Sequence, residues 1–235
     1  MCPKKRFCLS IGSSQDHLVF RSHIHSDPAP SRVFRLTISQ DISGGEINAM
    51  LDIRLEQLEF IGAGKHGEVY KIDEKRCIKI YKARHYLRKE LAALQRGADA
   101  RFFPKVYDWG GDYIIREYAP GIPLNRYLRT ERFTKDIARQ LVEMVETMRE
   151  LRFRRADTRL SHVIIDPKGK LWLIDPVNTM KPSPPFPRKL FKGLIRRGVD
   201  GEFMEYVRQH YPQAYDRWER HVSRLRERVS SSSQG

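Results

Sequence analysis

The sequence predicts an α+β fold in two lobes, an N-terminal antiparallel β-sheet with one helix followed by a compact, mainly helical C-terminal part. Three observations carry this expectation. Runs of β-favouring residues crowd the first half of the chain, notably Arg76–Tyr81 and Tyr113–Tyr118. A break at Ala119-Pro120-Gly121 then reads as a hinge. Beyond it, from Thr134, apolar residues recur at helical spacing.

The chain is organised around Ile61-Gly62-Ala63-Gly64-Lys65-His66-Gly67-Glu68-Val69-Tyr70. This string lies between two strand signals, Leu58–Ile61 and Val69–Ile72. Gly-x-Gly-x-x-Gly-x-Val in a hairpin is a form that covers nucleotide phosphates, because glycine lets backbone N–H groups approach phosphate oxygens. A following strand instead of a helix counts against a dinucleotide-binding fold. A glycine-rich hairpin without a ligand is the alternative reading of the string by itself.

The strand Arg76-Cys77-Ile78-Lys79-Ile80-Tyr81 carries one lysine in its middle, costly to bury without a carboxylate. A helix is expected from about Ala83 to Leu94, where Leu87, Leu91 and Leu94 make an apolar stripe that also contains Glu90. Lys79 and Glu90 are therefore natural partners. Gly97 ends that helix, Lys105–Trp109 and Tyr113–Tyr118 are strands, and Leu124–Leu128 is a short helix. Thr134 is an N-cap for a long helix reaching about Leu151, with Ile137, Leu141, Met144, Val145 and Met148 as its core face. A loop containing Asp157 leads to a second hairpin, Val163–Ile165 with Leu171–Ile174, which stops at Asp175-Pro176. Basic helical segments follow from about Arg188, with Phe203, Met204, Val207 and Tyr211 on one apolar face and Trp218, Val222 and Leu225 on another.

Domain limits follow from these patterns: a poorly ordered leader over 1–50, a nucleotide-binding part over 51–119, a helical part over 120–229 and a disordered tail over 230–235. Within the leader only Val33–Ile38 reads as a strand, His17, His23 and His25 read as loop residues, and Met50 opens the better-patterned region as a candidate start. The net charge of +15, from 44 Lys+Arg against 29 Asp+Glu, favours anionic partners, nucleic acid among them. Cys2, Cys8 and Cys77 form no metal-ligand spacing, and an odd count with no signal-peptide pattern predicts a cytoplasmic protein. No apolar run approaches a membrane span, and oligomeric state leaves no mark on the sequence.

Over roughly residues 55–180 the order of these features resembles the protein-kinase-like superfamily, most closely its small atypical bacterial-type serine/threonine protein kinases of compact, Rio-like form. The resemblance implies ATP and Mg²⁺ as cofactors and a protein hydroxyl as acceptor of the γ-phosphoryl group. Gly62, Gly64, Gly67 and Val69 match the nucleotide-covering loop, Lys79 the contact to the α- and β-phosphates, and Glu90 its ion-pair partner. Glu117, Tyr118 and Ala119 stand where the family binds adenine through backbone groups. Arg155-Ala156-Asp157 resembles His-Arg-Asp, which makes Asp157 the residue that orients the acceptor hydroxyl and takes its proton. Arg159 takes the place of a basic residue that steadies the transferring phosphoryl group, and Asp175 that of the metal ligand.

The chain also departs from the pattern. His162 replaces the asparagine that holds a second metal, which leaves three outcomes: one metal suffices, His162 favours Mn²⁺, or metal binding is impaired. Phe-Gly after Asp175 and an Ala-Pro-Glu segment are absent, and Ala156 replaces the arginine that pairs with a phosphorylated activation loop. Two other functions fit the same residues: a small-molecule or lipid-sugar kinase, and a non-catalytic or ATP-hydrolysing module that binds nucleic acid through its basic surface.

Overall fold

The computed structural model describes residues 18–21, 33–42, 45–153, 156–176 and 186–231, and the chain divides into two compact units, 1–57 and 58–235. In the first unit β1 (Leu18–Arg21), β2 (Val33–Ile42) and β3 (Gly45–Arg54) form an antiparallel sheet in that order. This corrects the expectation of a leader with one strand. β2 and β3 are each ten residues long and pair from Val33 opposite Arg54 to Ile42 opposite Gly45. The polar and small residues of β3 hide any alternation, so its strand depends on the ladder with β2 and not on local pattern. Phe34 and Ile53 face each other and are both buried. β3 runs through Met50, so the first boundary lies near 57 rather than 50. His17, His23, His25, Cys2 and Cys8 lie outside the described residues.

The second unit contains β4 (Glu59–Ala63), β5 (Gly67–Lys71), β6 (Arg76–Tyr81), α1 (Arg84–Arg96), β7 (Val106–Trp109) and β8 (Tyr113–Glu117). These strands form one antiparallel sheet in the order β4-β5-β6-β8-β7. Two cross-strand rows of this sheet carry the charged residues of its inner face. One joins Val69, Lys79 and Ile114, and its neighbour joins Lys71, Cys77 and Arg116. Cross-strand partners and residues two apart share a face, so both rows lie on one side of the sheet. α1 packs on β6, β7 and β8 through Leu87, Ala93 and Leu94. It ends at Gly97, where a Cβ would lie 2.5 Å from the Phe103 ring, so the tight approach of Phe103 favours glycine.

The chain continues through β9 (Ile122–Pro123), α2 (Leu124–Tyr127), α3 (Lys135–Glu150), β10 (Val163–Ile165) and β11 (Leu171–Leu173). Thr134 caps α3, its Oγ1 accepting from Ile137 N at 3.3 Å. The expected stripe of α3 is buried, together with Gln140, whose amide donates to Gly169 O and accepts from Leu171 N. That polar clamp fixes α3 against the β10–β11 hairpin. Gly121 has φ +122°, and a Cβ would lie 2.0 Å from Ile165 O, so only glycine fits where β9 approaches β10.

α4 (Arg188–Arg197), α5 (Asp200–His210) and α6 (Pro212–Ser231) complete the fold. α6 ends at Ser231, just inside the region expected to be tail. The two apolar faces expected separately here converge: Phe191 meets Phe203 at 5.5 Å and Trp218 at 5.7 Å between ring centroids. Both belong to one core with α1 and α3. Among the described residues no helix is long and apolar enough to cross a membrane.

Candidate functional site

A cleft of about 810 Å³ opens beside the inner rows of the five-stranded sheet, a size suited to a small-molecule ligand. The glycine string from Ile61 to Gly67 lines it, together with Val69 and Cys77 of the sheet, Ile164 of β10, and Ile174, Tyr118 and Ala119. Apolar lining of this kind is suited to a flat ring. Gly62 and Gly64 have nothing within 4 Å of an added Cβ, so packing does not require glycine there. Gly67 differs: a Cβ would lie 1.9 Å from Ile80 O, where β5 crosses β6 closely.

Lys79 Nζ donates to Glu90 Oε2 at 2.5 Å, and both side chains are buried. The expected partnership is present. It exists because β6 aims Lys79 along the inner face while α1 turns the Glu90 stripe toward the sheet. Glu90 itself does not line the cleft and acts on it through Lys79.

Asp175 lies past the end of β11, where Ile174 N donates to His162 O at 3.0 Å and ties the two segments together. Its Oδ2 is 3.6 Å from His162 Nδ1 and 3.9 Å from His66 Nδ1. Its Oδ1 is buried and accepts no hydrogen bond among the described residues. A buried carboxylate oxygen left in that state is suited to a cation. Burial pushes the His162 pKa below its usual value, with Arg159 and Lys79 acting in the same direction and Asp175 opposing them. A neutral imidazole can ligate a metal. Among the described residues no three His, Cys, Asp or Glu side chains gather as a metal-holding group, so a divalent ion held here by Asp175 would complete its shell with ligand oxygens and water, as Mg²⁺ commonly does.

Asp157 stands elsewhere. It is 3% exposed and does not line the main cleft. Its Oδ1 accepts from Lys189 N at 2.9 Å and Leu190 N at 3.2 Å, so it caps the first turn of α4 from thirty-odd residues away. It does share a small recess with Thr158, Arg159, His162 and Asp175. Arg159, His162, Asp175 and Lys189 line both that recess and the main cleft. Glu117 also turns away, its Oε2 accepting from Lys105 N at 3.2 Å, which leaves Tyr118 and Ala119 at the cleft edge.

Sequence reasoning missed four contributors. His66 stands within the glycine string, stacks on Tyr86 with 4.1 Å between centroids, and reaches toward Asp175. Arg126 and Lys189 add positive charge to the cleft, where Asp175 is the one acidic side chain among the described lining residues. Arg116 lines the cleft from β8 although it is 4% exposed. Burial opposes its charge, Cys77, Glu90, Tyr81 and Asp175 favour it, and its pKa is raised. The signal that found Lys79, a charge inside an apolar strand, was equally available for Arg116.

No protein-family model matches the chain. It is 25% identical over 126 residues to the Bacillus subtilis protein named "Putative serine/threonine-protein kinase YrzF", a match covering 51% of this chain and 59% of that one. Two fungal proteins named "Serine/threonine-protein kinase CBK1", from Candida glabrata and Saccharomyces cerevisiae, are each 29% identical over 139 residues. Those matches cover 50% of this chain and 18% of each fungal protein. The chain thus spans 59% of the first relative and 18% of each fungal one, and the similarities support a kinase-like superfamily.

Proposed function

We propose that this chain is a phosphotransferase that moves the γ-phosphoryl group of a nucleoside triphosphate, ATP in the reading of its motifs, to a serine or threonine hydroxyl of a protein. The observation that carries the reading is the buried Lys79–Glu90 pair beside a cleft that Lys79 and Asp175 both line. Phosphoryl transfer needs positioned phosphates and neutralised charge more than covalent help. In this reading the sheet and the helical part act as two lobes about Pro120-Gly121. Lys79 holds the α- and β-phosphates, Asp175 and His162 hold Mg²⁺ or Mn²⁺, and Arg159 meets the transferring group. Asp157 orients the acceptor hydroxyl from the recess next to Asp175, one of its oxygens remaining on α4. The protein acceptor draws support from the names of the relatives.

A small anionic acceptor is the second reading. Arg126, Arg159 and Lys189 line the same cleft and exceed what a metal-bound triphosphate requires. Incubation with γ-labelled nucleotide, Mg²⁺ or Mn²⁺, a generic protein acceptor and a mixture of small anionic hydroxyl metabolites decides between them. Label on protein hydroxyls, lost in Asp175→Asn, supports the first; label only in small metabolites supports the second. No label in either, from folded protein with both metals, removes the reading.

A further inference from the structure

Helix α4 carries Arg188, Lys189, Lys192, Arg196 and Arg197 and no acidic residue. The helices packed on it, α5 and α6, mix both signs. There Arg208 pairs with Glu205, and Arg226 of α6 reaches Asp200 of α5. By contrast, the side chains of Arg188, Lys192 and Arg196 make no ion pair among the described residues, and all three are exposed. Cations at i and i+4 on one helix repel each other. Arg188 and Lys189 also stand in the first turn, where the helix dipole disfavours positive charge. Solubility is served equally well by charges of both signs, so it does not account for these positions.

The face begins at the candidate site. Leu190, Phe191 and Leu194 turn one side of α4 into the core. Lys189, Lys192 and Arg196, at i, i+3 and i+7, share another face of the helix. Lys189 lines both the main cleft and the recess that holds Asp157 and Asp175, and Arg159 lines both as well. Along the helix axis Arg196 stands about 10 Å beyond Lys189, the length of about three residues of extended chain. A polypeptide with its hydroxyl in the recess that leaves along this face passes over one cation after another.

We propose that the Lys189–Lys192–Arg196 face of α4 docks an acidic segment of the acceptor protein, so that hydroxyls flanked by aspartate or glutamate are selected. This rests on the protein-phosphotransferase reading and names its class of acceptor. Polypeptide is favoured over nucleic acid, whose binding commonly draws on about six to ten phosphate contacts. Single strands also stack on aromatic side chains. Among the described residues the large exposed aromatics, Phe60 and Trp109, belong to β4 and β7 and not to α4.

The test uses the full chain with ATP, Mg²⁺ and serine peptides that differ only in a block of glutamates, glutamines or lysines beside the serine. The block precedes the serine in one series and follows it in another. Binding is read by fluorescence anisotropy and phosphorylation as kcat/KM. In at least one series wild type is expected to bind and phosphorylate the glutamate peptide about five-fold or more better than the glutamine peptide. That advantage shrinks as salt is raised. Lys192→Glu combined with Arg196→Glu shifts the preference to the lysine peptide. Use of the glutamine peptide and binding of Mg²⁺-ATP stay as in wild type, because neither residue lines the cleft. Equal use of glutamate and glutamine peptides by wild type in both series overturns the inference and leaves the phosphotransferase reading standing. So does a glutamate preference that survives the double substitution, including the case where the substitution instead abolishes binding of a single-stranded RNA. A glutamate peptide that wild type binds, that the double variant releases and that is never labelled keeps the docking face and removes the protein-acceptor reading. Peptides neither bound nor labelled overturn both.

Discussion

Lys79 and Glu90 meet at 2.5 Å inside the protein, with the second carboxylate oxygen of Glu90 buried and accepting no hydrogen bond among the described residues. A buried pair is a weak source of stability, but removal of one member leaves the other charged and unmatched. Glu90→Ala is therefore expected to cost about 3–5 kcal/mol in chemical denaturation. Glu90→Gln keeps the shape and is expected to cost less while lowering phosphotransfer at least ten-fold. Equal activity in folded Glu90→Gln would show that the pair serves the fold alone.

The glycines separate folding from binding. Gly67→Ala places a methyl group 1.9 Å from Ile80 O and is expected to destabilise by about 2 kcal/mol or more. Gly62→Ala meets nothing within 4 Å and is expected to leave stability within about 0.5 kcal/mol. Its effect should appear as weaker nucleotide binding, measured beside its melting temperature. A Gly62→Ala protein that binds nucleotide as tightly as wild type would remove the loop from the site.

The two aspartates are expected to differ in the same way. Asp157→Asn loses charge from the cap on α4 and is expected to lower stability by about 1 kcal/mol as well as activity. Asp175→Asn removes a carboxylate with one unmatched oxygen, so its melting temperature should not fall while metal-dependent nucleotide binding is lost. Thermal melts with and without Mg²⁺-nucleotide check both statements.

Asp73 gives a pH-dependent prediction in the turn leading to the Lys79 strand. Its carboxylate accepts from Lys75 N at 2.9 Å, Arg76 N at 2.8 Å and Arg76 Nε at 2.7 Å. Burial opposes the charge, but these bonds outweigh it and hold the pKa below the usual carboxylate value. The stabilisation is thus present above the unfolded-state pKa of about 3.9 and is lost as pH falls through the lower folded-state value. Exposure limits it to about 1 kcal/mol. Asp73→Asn should be destabilised by that amount at pH 7 and match wild type near pH 2 by denaturant titration.

Much of the second unit was legible because its patterns are local. The α3 stripe, the Thr134 cap and the Lys79–Glu90 pair each follow from residues whose periodicity or cost can be read along the chain. What the sequence concealed depends on distant partners. β3 becomes a strand through β2, Asp157 finds α4 more than thirty residues on, and Phe203 and Trp218 share a core only once α5 and α6 fold back. Arg116 was overlooked for a different reason: no nearby carboxylate at helical spacing drew attention to it, as Glu90 did for Lys79.

The most direct measurement is a crystal structure of the protein with a non-hydrolysable nucleoside triphosphate and Mg²⁺. The account predicts the triphosphate within hydrogen-bonding distance of Lys79 Nζ, with a metal ion on Asp175. A nucleotide bound on another surface, or an empty cleft at saturating concentration, would contradict it.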